Sequence, residues 1–137
     1  MKKRVAIISS ALLIALVGTT VSPAQAALSG MVNKGVITIA TDNPAYSPWF
    51  DSNKPANGKG FESAVAYAVA KQLGYAPSQV KWVTASFDSV IQPGKKNFDF
   101  DINQVSITPE RQKAVDFSTG YYDVAQTVVA LKSSKIA

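Results

Sequence analysis

Cysteine and histidine are both absent from this chain of 137 residues. Without cysteine, the protein can form no disulfide and lacks the residue to which exported lipoproteins usually attach their lipid. Histidine and cysteine are also the side chains used most often in acid–base and nucleophilic catalysis, and the nine acidic residues show no obvious pairing that would replace them. The composition therefore predicts no catalytic residue, no metal site and no cofactor.

The N-terminus has the pattern of a secretory signal. A basic start at Lys2, Lys3 and Arg4 precedes an apolar run over residues 5–17, and the small-residue ending Ala24-Gln25-Ala26 follows. The alternative is a membrane anchor, but the apolar run is shorter than the roughly 20 residues that a spanning helix needs. We therefore expect residues 1–26 to be removed on export. Residues 27–137 would form one soluble domain in the periplasm or outside the cell, with no membrane span after cleavage.

Net charge argues against nucleic-acid binding. Of the 14 basic residues, three lie in the expected signal, which leaves 11 against nine acids and a mature charge of +2. The remaining lysines are scattered singly, except for the pair Lys95-Lys96, which we interpret as flanking a turn. The sequence thus shows no basic patch of the kind that binds phosphate backbones.

Strand and helix patterns alternate along the chain. Runs of β-branched and aromatic residues predict strands over residues 36–40, 80–83, 98–102 and 127–131. A helix is predicted over 61–73 with Gly74 as its C-cap, and a short one from Phe87 is cut off by Pro93-Gly94. Another short helix, with Thr108 as N-cap and Pro109 in its first position, would reach about residue 115. This order predicts an α/β fold with a parallel sheet.

The first long helix should be amphipathic, since its large apolar residues recur at helical spacing. These residues would form an apolar stripe along one face of the helix. Its members are Phe61, Val65, Ala68, Val69 and Leu73.

Ligands of parallel sheets bind at the carboxyl ends of the strands, and the loops expected there hold the unusual residues. The loop after the first strand carries Tyr46, Trp49 and Phe50. We interpret Trp49 and Phe50 as packing residues, because large aromatic side chains bury most of their area. Tyr46 could equally stack against a ligand.

The loop after the third strand is polar at alternate positions and leads into a helix start. Ser106 and Thr108 could contact a ligand or serve only in turns and caps. Arg111 would lie in the first turn of a helix, at the unfavourable end of the helix dipole, where a bound carboxylate could compensate its charge. The alternative is a surface salt bridge to a nearby acid such as Glu110, Asp116 or Asp123.

A set of motifs in this order resembles one protein family. The chain contains Gly60-Phe61-Glu62, then Phe98-Asp99, then the run SITPER over residues 106–111 and DFSTGYY over 116–122. Together they resemble the bacterial solute-binding proteins of family 3, which are the polar amino-acid binding components of ABC importers. The resemblance extends over about residues 35–132 and implies the parallel-sheet lobe of a type II periplasmic binding protein.

The resemblance also implies a ligand site. Arg111 would grip the α-carboxylate of an amino acid, helped by Ser106 and Thr108, while Tyr46 and Phe87 would line the side-chain pocket. Three further positions match ligand-contacting positions of the family. Asp42 stands where some members hold an acid that contacts basic ligands. Asn103 and Gln104 stand where many members have small residues.

Family members continue beyond the equivalent of residues 127–131 into a second lobe and return to complete the first, so the resemblance implies that this sequence covers only the first-lobe portion. We therefore expect a non-enzymatic, extracytoplasmic amino-acid binding component that works with permease subunits of an ABC importer, and weak binding by the lobe alone. The alternatives are a docking or regulatory lobe, an inactive gene fragment without ligand binding and, less favoured, a dehydratase-like enzyme on the same fold.

Overall fold

Three parallel strands form the centre of the molecule. The computed structural model describes residues 29–135, so the expected signal peptide lies outside the described residues. Strands β1 (Ile37–Thr41), β2 (Val80–Thr84) and β3 (Phe100–Asp101) pair in the order β2-β1-β3. Ile37 pairs with Val80, and Ile39 pairs with Phe100 on the other side. The parallel α/β sheet predicted from the sequence is confirmed.

Helices connect these strands as crossovers. Helix α1 (Phe61–Gln72) runs between β1 and β2, α2 (Phe87–Val90) lies between β2 and β3, and α3 (Pro109–Gln112) follows β3. Short 3₁₀ turns occur in the connections at Asp51–Asn53, Pro55–Asn57 and Pro77–Gln79. Gly74 follows α1 with a φ of 89°, which is the left-handed conformation expected after a helix C-terminus.

The buried face of α1 is formed by small and polar residues rather than by its large apolar ones. The fully buried residues of the helix are Glu62, Ser63, Ala66 and Ala70, whereas the predicted apolar stripe is half-exposed or exposed. Small alanine side chains let the helix approach the sheet closely, where Ile37 and Ile39 of β1 fill the core. Val65, Val69 and Leu73 instead line an open cleft beside the sheet.

Phe50 is the largest fully buried side chain of the core among the residues that the structure describes. Its ring meets Trp82 of β2 edge-on at 5.8 Å, and the half-buried Trp49 packs against the same cluster. The predicted packing roles of Trp49 and Phe50 are confirmed. Gly60 has a φ of 92°, and a Cβ there would lie 2.7 Å from the Phe50 Cα, so this tight passage requires glycine.

The strand predicted over residues 127–131 is also wrong, because those residues form no strand in the structure. Val128 and Val129 are 81% and 90% exposed. A β-branched run needs a hydrogen-bonded neighbour to become a strand, and intrinsic preference alone does not supply one.

Two further elements are shorter than predicted. Strand β3 has two residues rather than five, since the Asp99 carboxylate accepts the amide hydrogens of Thr38 (2.6 Å) and Val32 (2.7 Å) just before it. Helix α3 ends at Gln112 rather than near residue 115.

Candidate functional site

The carboxyl ends of the three strands meet at one edge of the sheet, as parallel pairing requires. Strand β1 ends at Thr41, β2 at Thr84 and β3 at Asp101. The loops that leave these ends carry six of the eight residues predicted from the sequence to bind ligand. The other two, Phe87 and Arg111, lie in α2 and α3.

Asp42 joins two of these loops. Its Oδ2 accepts the amide hydrogen of Phe87 at 3.2 Å, and its Oδ1 accepts that of Asn43 at 2.7 Å. Phe87 is the first residue of α2, so the carboxylate satisfies an amide that has no partner within the helix. The contact fixes the start of α2 against the end of β1 and places the Phe87 ring at the site.

Arg111 lies above that ring. Its guanidinium carbon is 5.1 Å from the centre of the Phe87 ring, and its Nη1 donates to the Ser106 carbonyl oxygen at 2.9 Å. A cation over an aromatic face is attracted by the ring quadrupole, and the carbonyl adds a directional bond. Thr108 caps α3 as predicted, since its Oγ1 accepts the Arg111 amide hydrogen at 3.3 Å. The structure thus brings Ser106, Thr108, Arg111 and Phe87 together.

The other predicted residues are placed differently. Tyr46 is 64% exposed in the loop after β1. Asn103 lines the open cleft beside β3. Gln104 donates both its main-chain amide hydrogen and its side-chain amide to the Glu62 carboxylate. These donors of Gln104 are engaged inside the protein.

Glu62 was not predicted from the sequence to belong to the site. Its side chain is completely buried and accepts from the Gln104 main-chain nitrogen at 2.7 Å, from the Gln104 side chain, and from the Tyr121 hydroxyl at 2.5 Å. Burial, together with the hydrogen bond to Glu62, raises the pKa of the Tyr121 phenol, so that residue donates as a neutral hydroxyl. One signal was available: Glu62, Ala66 and Ala70 share a helical face, which makes the acid part of the buried stripe.

Asp101 is a second acid held in the interior. Both of its carboxylate oxygens are buried and have no hydrogen-bond partner among the described residues. Burial raises the pKa of Asp101 to about 7; the nearby charges of Glu62 and Asp42 add to the increase, and Lys96 opposes it. The carboxyl ends of the strands therefore hold a group that titrates near neutral pH.

An apolar cleft of about 740 Å³ lies beside β3. Its walls are formed by Val65 and Val69 of α1, by β3 and by the segment after α3, which includes Val115. Of the eight predicted ligand residues only Asn103 reaches it. The cleft is open and mostly apolar, although Lys96, Asp99, Asp101 and Asp116 also line it. Because Arg111 and most of the predicted ligand residues lie outside the cleft, we assign the candidate site to the cluster around Arg111.

Metal binding and membrane spanning can also be judged from the described residues. Within residues 29–135, no group of three or more carboxylate, histidine or cysteine side chains is placed to hold a metal ion. No helix in the same range is long and apolar enough to cross a membrane.

Comparison with known proteins identifies the family. The model of the bacterial extracellular solute-binding proteins, family 3, matches residues 37–136. The chain belongs to this family. The match includes all three strands, α1 to α3 and every residue of the candidate site, which agrees with the resemblance seen in the SITPER and DFSTGYY runs. The family is one of binding proteins rather than enzymes.

Individual relatives are named for amino acids. The arginine-binding extracellular protein ArtP of Bacillus subtilis is 36% identical over 92 residues, covering 66% of this chain and 34% of the relative. The L-cystine-binding protein TcyJ of Escherichia coli is 36% identical over 100 residues, covering 67% of this chain and 35% of TcyJ. A probable histidine-binding protein of Neisseria gonorrhoeae is 28% identical over 107 residues, or 77% of this chain and 38% of the relative.

The chain therefore spans about a third of the length of the curated relatives that it matches. No solved structure gives a significant match.

Proposed function

We propose that this chain is an exported amino-acid binding component of an ABC importer, and that Arg111 binds the ligand carboxylate. In this role residues 1–26 direct export, the importer's permease subunits are the protein partners, and the chain binds its ligand without changing it chemically. The observation that carries the proposal is the placement of Arg111, which is held over Phe87 at the carboxyl ends of the strands.

The guanidinium is suited to a carboxylate because it is already oriented. The bond to the Ser106 carbonyl uses one of the five N–H donors of an arginine. The planar fork of the group can offer a parallel pair of donors to a carboxylate, a geometry that lysine cannot reproduce. The Phe87 ring and the bond to the Ser106 carbonyl restrict the side chain, so little rotational freedom is lost when a ligand binds. The Thr108 cap holds the Arg111 main chain.

Other residues of the loops can complete a shallow site. The Ser106 side chain is exposed next to Arg111 and can donate its hydroxyl to the same carboxylate. Tyr46 exposes most of its ring from the loop after β1 and can cover an aliphatic or aromatic ligand side chain. Asp42 anchors Phe87 and can at the same time face a basic ligand group, since each carboxylate oxygen can accept more than one hydrogen bond.

Relatives are named for arginine, histidine and cystine, which share an α-carboxylate and differ in their side chains. The shared group is the one that Arg111 can recognise. The test is therefore a thermal-shift and calorimetric screen of the purified protein with these three amino acids and the other proteinogenic ones. Agmatine and histamine, the decarboxylated forms of arginine and histidine, serve as matched ligand controls.

A bound amino acid should raise the melting temperature by mass action, while its decarboxylated form should not. Replacing Arg111 with alanine should weaken binding roughly 10- to 100-fold, from the roughly 1.5–3 kcal/mol contributed by a hydrogen bond to a charged group. Arg111→Lys should retain only part of the affinity, and Lys113→Ala, exposed beside α3, should retain all of it. Equal binding of arginine and agmatine, or unchanged binding by Arg111→Ala, would refute the proposal.

A further inference from the structure

Glu62 joins three parts of the chain that are far apart in sequence. Gln104 and Tyr121, which donate to its carboxylate, lie 42 and 59 residues away. A fully buried carboxylate is unfavourable unless donors replace its water, and here three donors converge on the two oxygens. Such an arrangement holds its partners in place, because moving any of them leaves a buried charge less satisfied.

The partner most affected is Gln104. Its φ is 48°, in the left-handed region that residues with a Cβ seldom adopt. Glu62 accepts from both the main chain and the side chain of this residue. The two bonds stabilise a backbone conformation that Gln104 would not adopt by its own preference, and this conformation turns the chain as it leaves β3.

We infer that Glu62 is a positioning residue for the candidate site: by holding Gln104 in the left-handed conformation, it sets the path of the loop that carries Ser106 to Arg111. Gln104 is two residues before Ser106, whose carbonyl orients the guanidinium. The effect of Glu62 on the loop follows from the contacts alone, whereas its effect on ligand binding rests on the proposed function.

The Tyr121 hydroxyl and the Gln104 main-chain amide both donate to the same oxygen of Glu62, Oε1. Its ring stacks on Phe61 at the start of α1, with ring centres 6.2 Å apart. Because the ring contact survives loss of the hydroxyl, Tyr121→Phe removes one of the three donors while leaving the packing. Gln104 keeps both of its own bonds in that variant, so the loop should stay in place.

The test measures the loop without ligand. In NMR spectra of the full chain, we follow hydrogen exchange of the Gln104 main-chain amide and the Nε–H signal of Arg111. Glu62→Ala should speed exchange at Gln104 at least about tenfold and broaden the Arg111 signal. Glu62→Gln keeps the side-chain volume and one acceptor oxygen, and should give a smaller change of the same sign. Lys71→Ala, exposed on α1, is the matched control and should change neither signal.

A second substitution distinguishes a positioning role of Glu62 from a general loss of stability. Glycine adopts a φ of 48° readily, so Gln104→Gly in the Glu62→Ala background should restore the Arg111 signal without restoring the buried bonds. If Glu62→Gln and Glu62→Ala leave both signals unchanged, or if glycine rescues nothing in a folded double variant, the inference is wrong.

Titration with L-arginine then tests the link to binding. Where the loop is ordered in only a tenth of the molecules, the apparent affinity should be about tenfold weaker. If wild-type protein binds neither L-arginine nor any other amino acid while the NMR signals respond as expected, the positioning inference is supported and the proposed function fails.

Discussion

Replacing Asp101 with asparagine should stabilise the protein at neutral pH. The aspartate has two buried oxygens without hydrogen-bond partners among residues 29–135, and it lies near the carboxylates of Glu62 and Asp42. Burial, followed by these two charges, raises its pKa to about 7 from the ordinary 3.8. Asparagine mimics the neutral form at every pH and removes the penalty for ionisation.

The expected size follows from the two pKa values. Each tenfold change in proton affinity corresponds to about 1.4 kcal/mol, so ionising Asp101 in the folded protein costs up to about 4 kcal/mol. The folded state binds this proton more tightly than the unfolded state, and wild-type stability therefore falls as the pH rises from about 4 to about 7. Below pH 4 both states are protonated and the penalty vanishes; above pH 7 both are ionised and the penalty is constant.

Urea unfolding of wild type and Asp101→Asn at several pH values from 4 to 8 measures this pH dependence of stability. The difference in unfolding free energy between Asp101→Asn and wild type should grow by up to about 1.4 kcal/mol per pH unit between pH 4 and 7, then level off. Asp116→Asn, a substitution of an exposed aspartate, supplies the control slope. A difference that is independent of pH, or that shrinks toward neutral pH, would show that Asp101 does not ionise with the proposed penalty.

Two smaller predictions concern the backbone around the site. Gly60→Ala should lower the unfolding free energy by more than about 1 kcal/mol, because the added Cβ meets the Phe50 backbone and a φ of 92° is strained for alanine. If urea unfolding shows no loss of stability relative to Gly58→Ala, the close approach of Gly60 to Phe50 does not require glycine. Thr108→Ala should lower it by about 1 kcal/mol through loss of the α3 cap, and should also weaken amino-acid binding, since α3 carries Arg111. Thr108→Ser, which keeps the hydroxyl, should restore both the stability and the binding.

Local patterns were sufficient for the elements that local contacts stabilise. Strand β1, helix α1 and strand β2 were predicted within one residue at each end, since their runs are continuous and bounded by glycine or turn residues. The failures involve contacts with distant parts of the chain. Residues 127–131 have the composition of a strand, but no neighbour pairs with them in the structure. The buried face of α1 cannot be read from its apolar stripe, because close packing against β1 favours alanine over the larger apolar residues.

The same distinction between local and distant contacts applies to the candidate site. Thr108 and Arg111 are three residues apart, so a cap and a first-turn arginine could be recognised from the sequence and are seen in the structure. Glu62 was not recognised, because nothing near it in sequence shows that Gln104 and Tyr121 donate to its carboxylate. Local sequence thus indicates which residues can present donors to a ligand. The residues that hold those donors in position depend on tertiary contacts, so substitutions at Glu62 are a sharper test of the site's architecture than substitutions at the exposed Ser106.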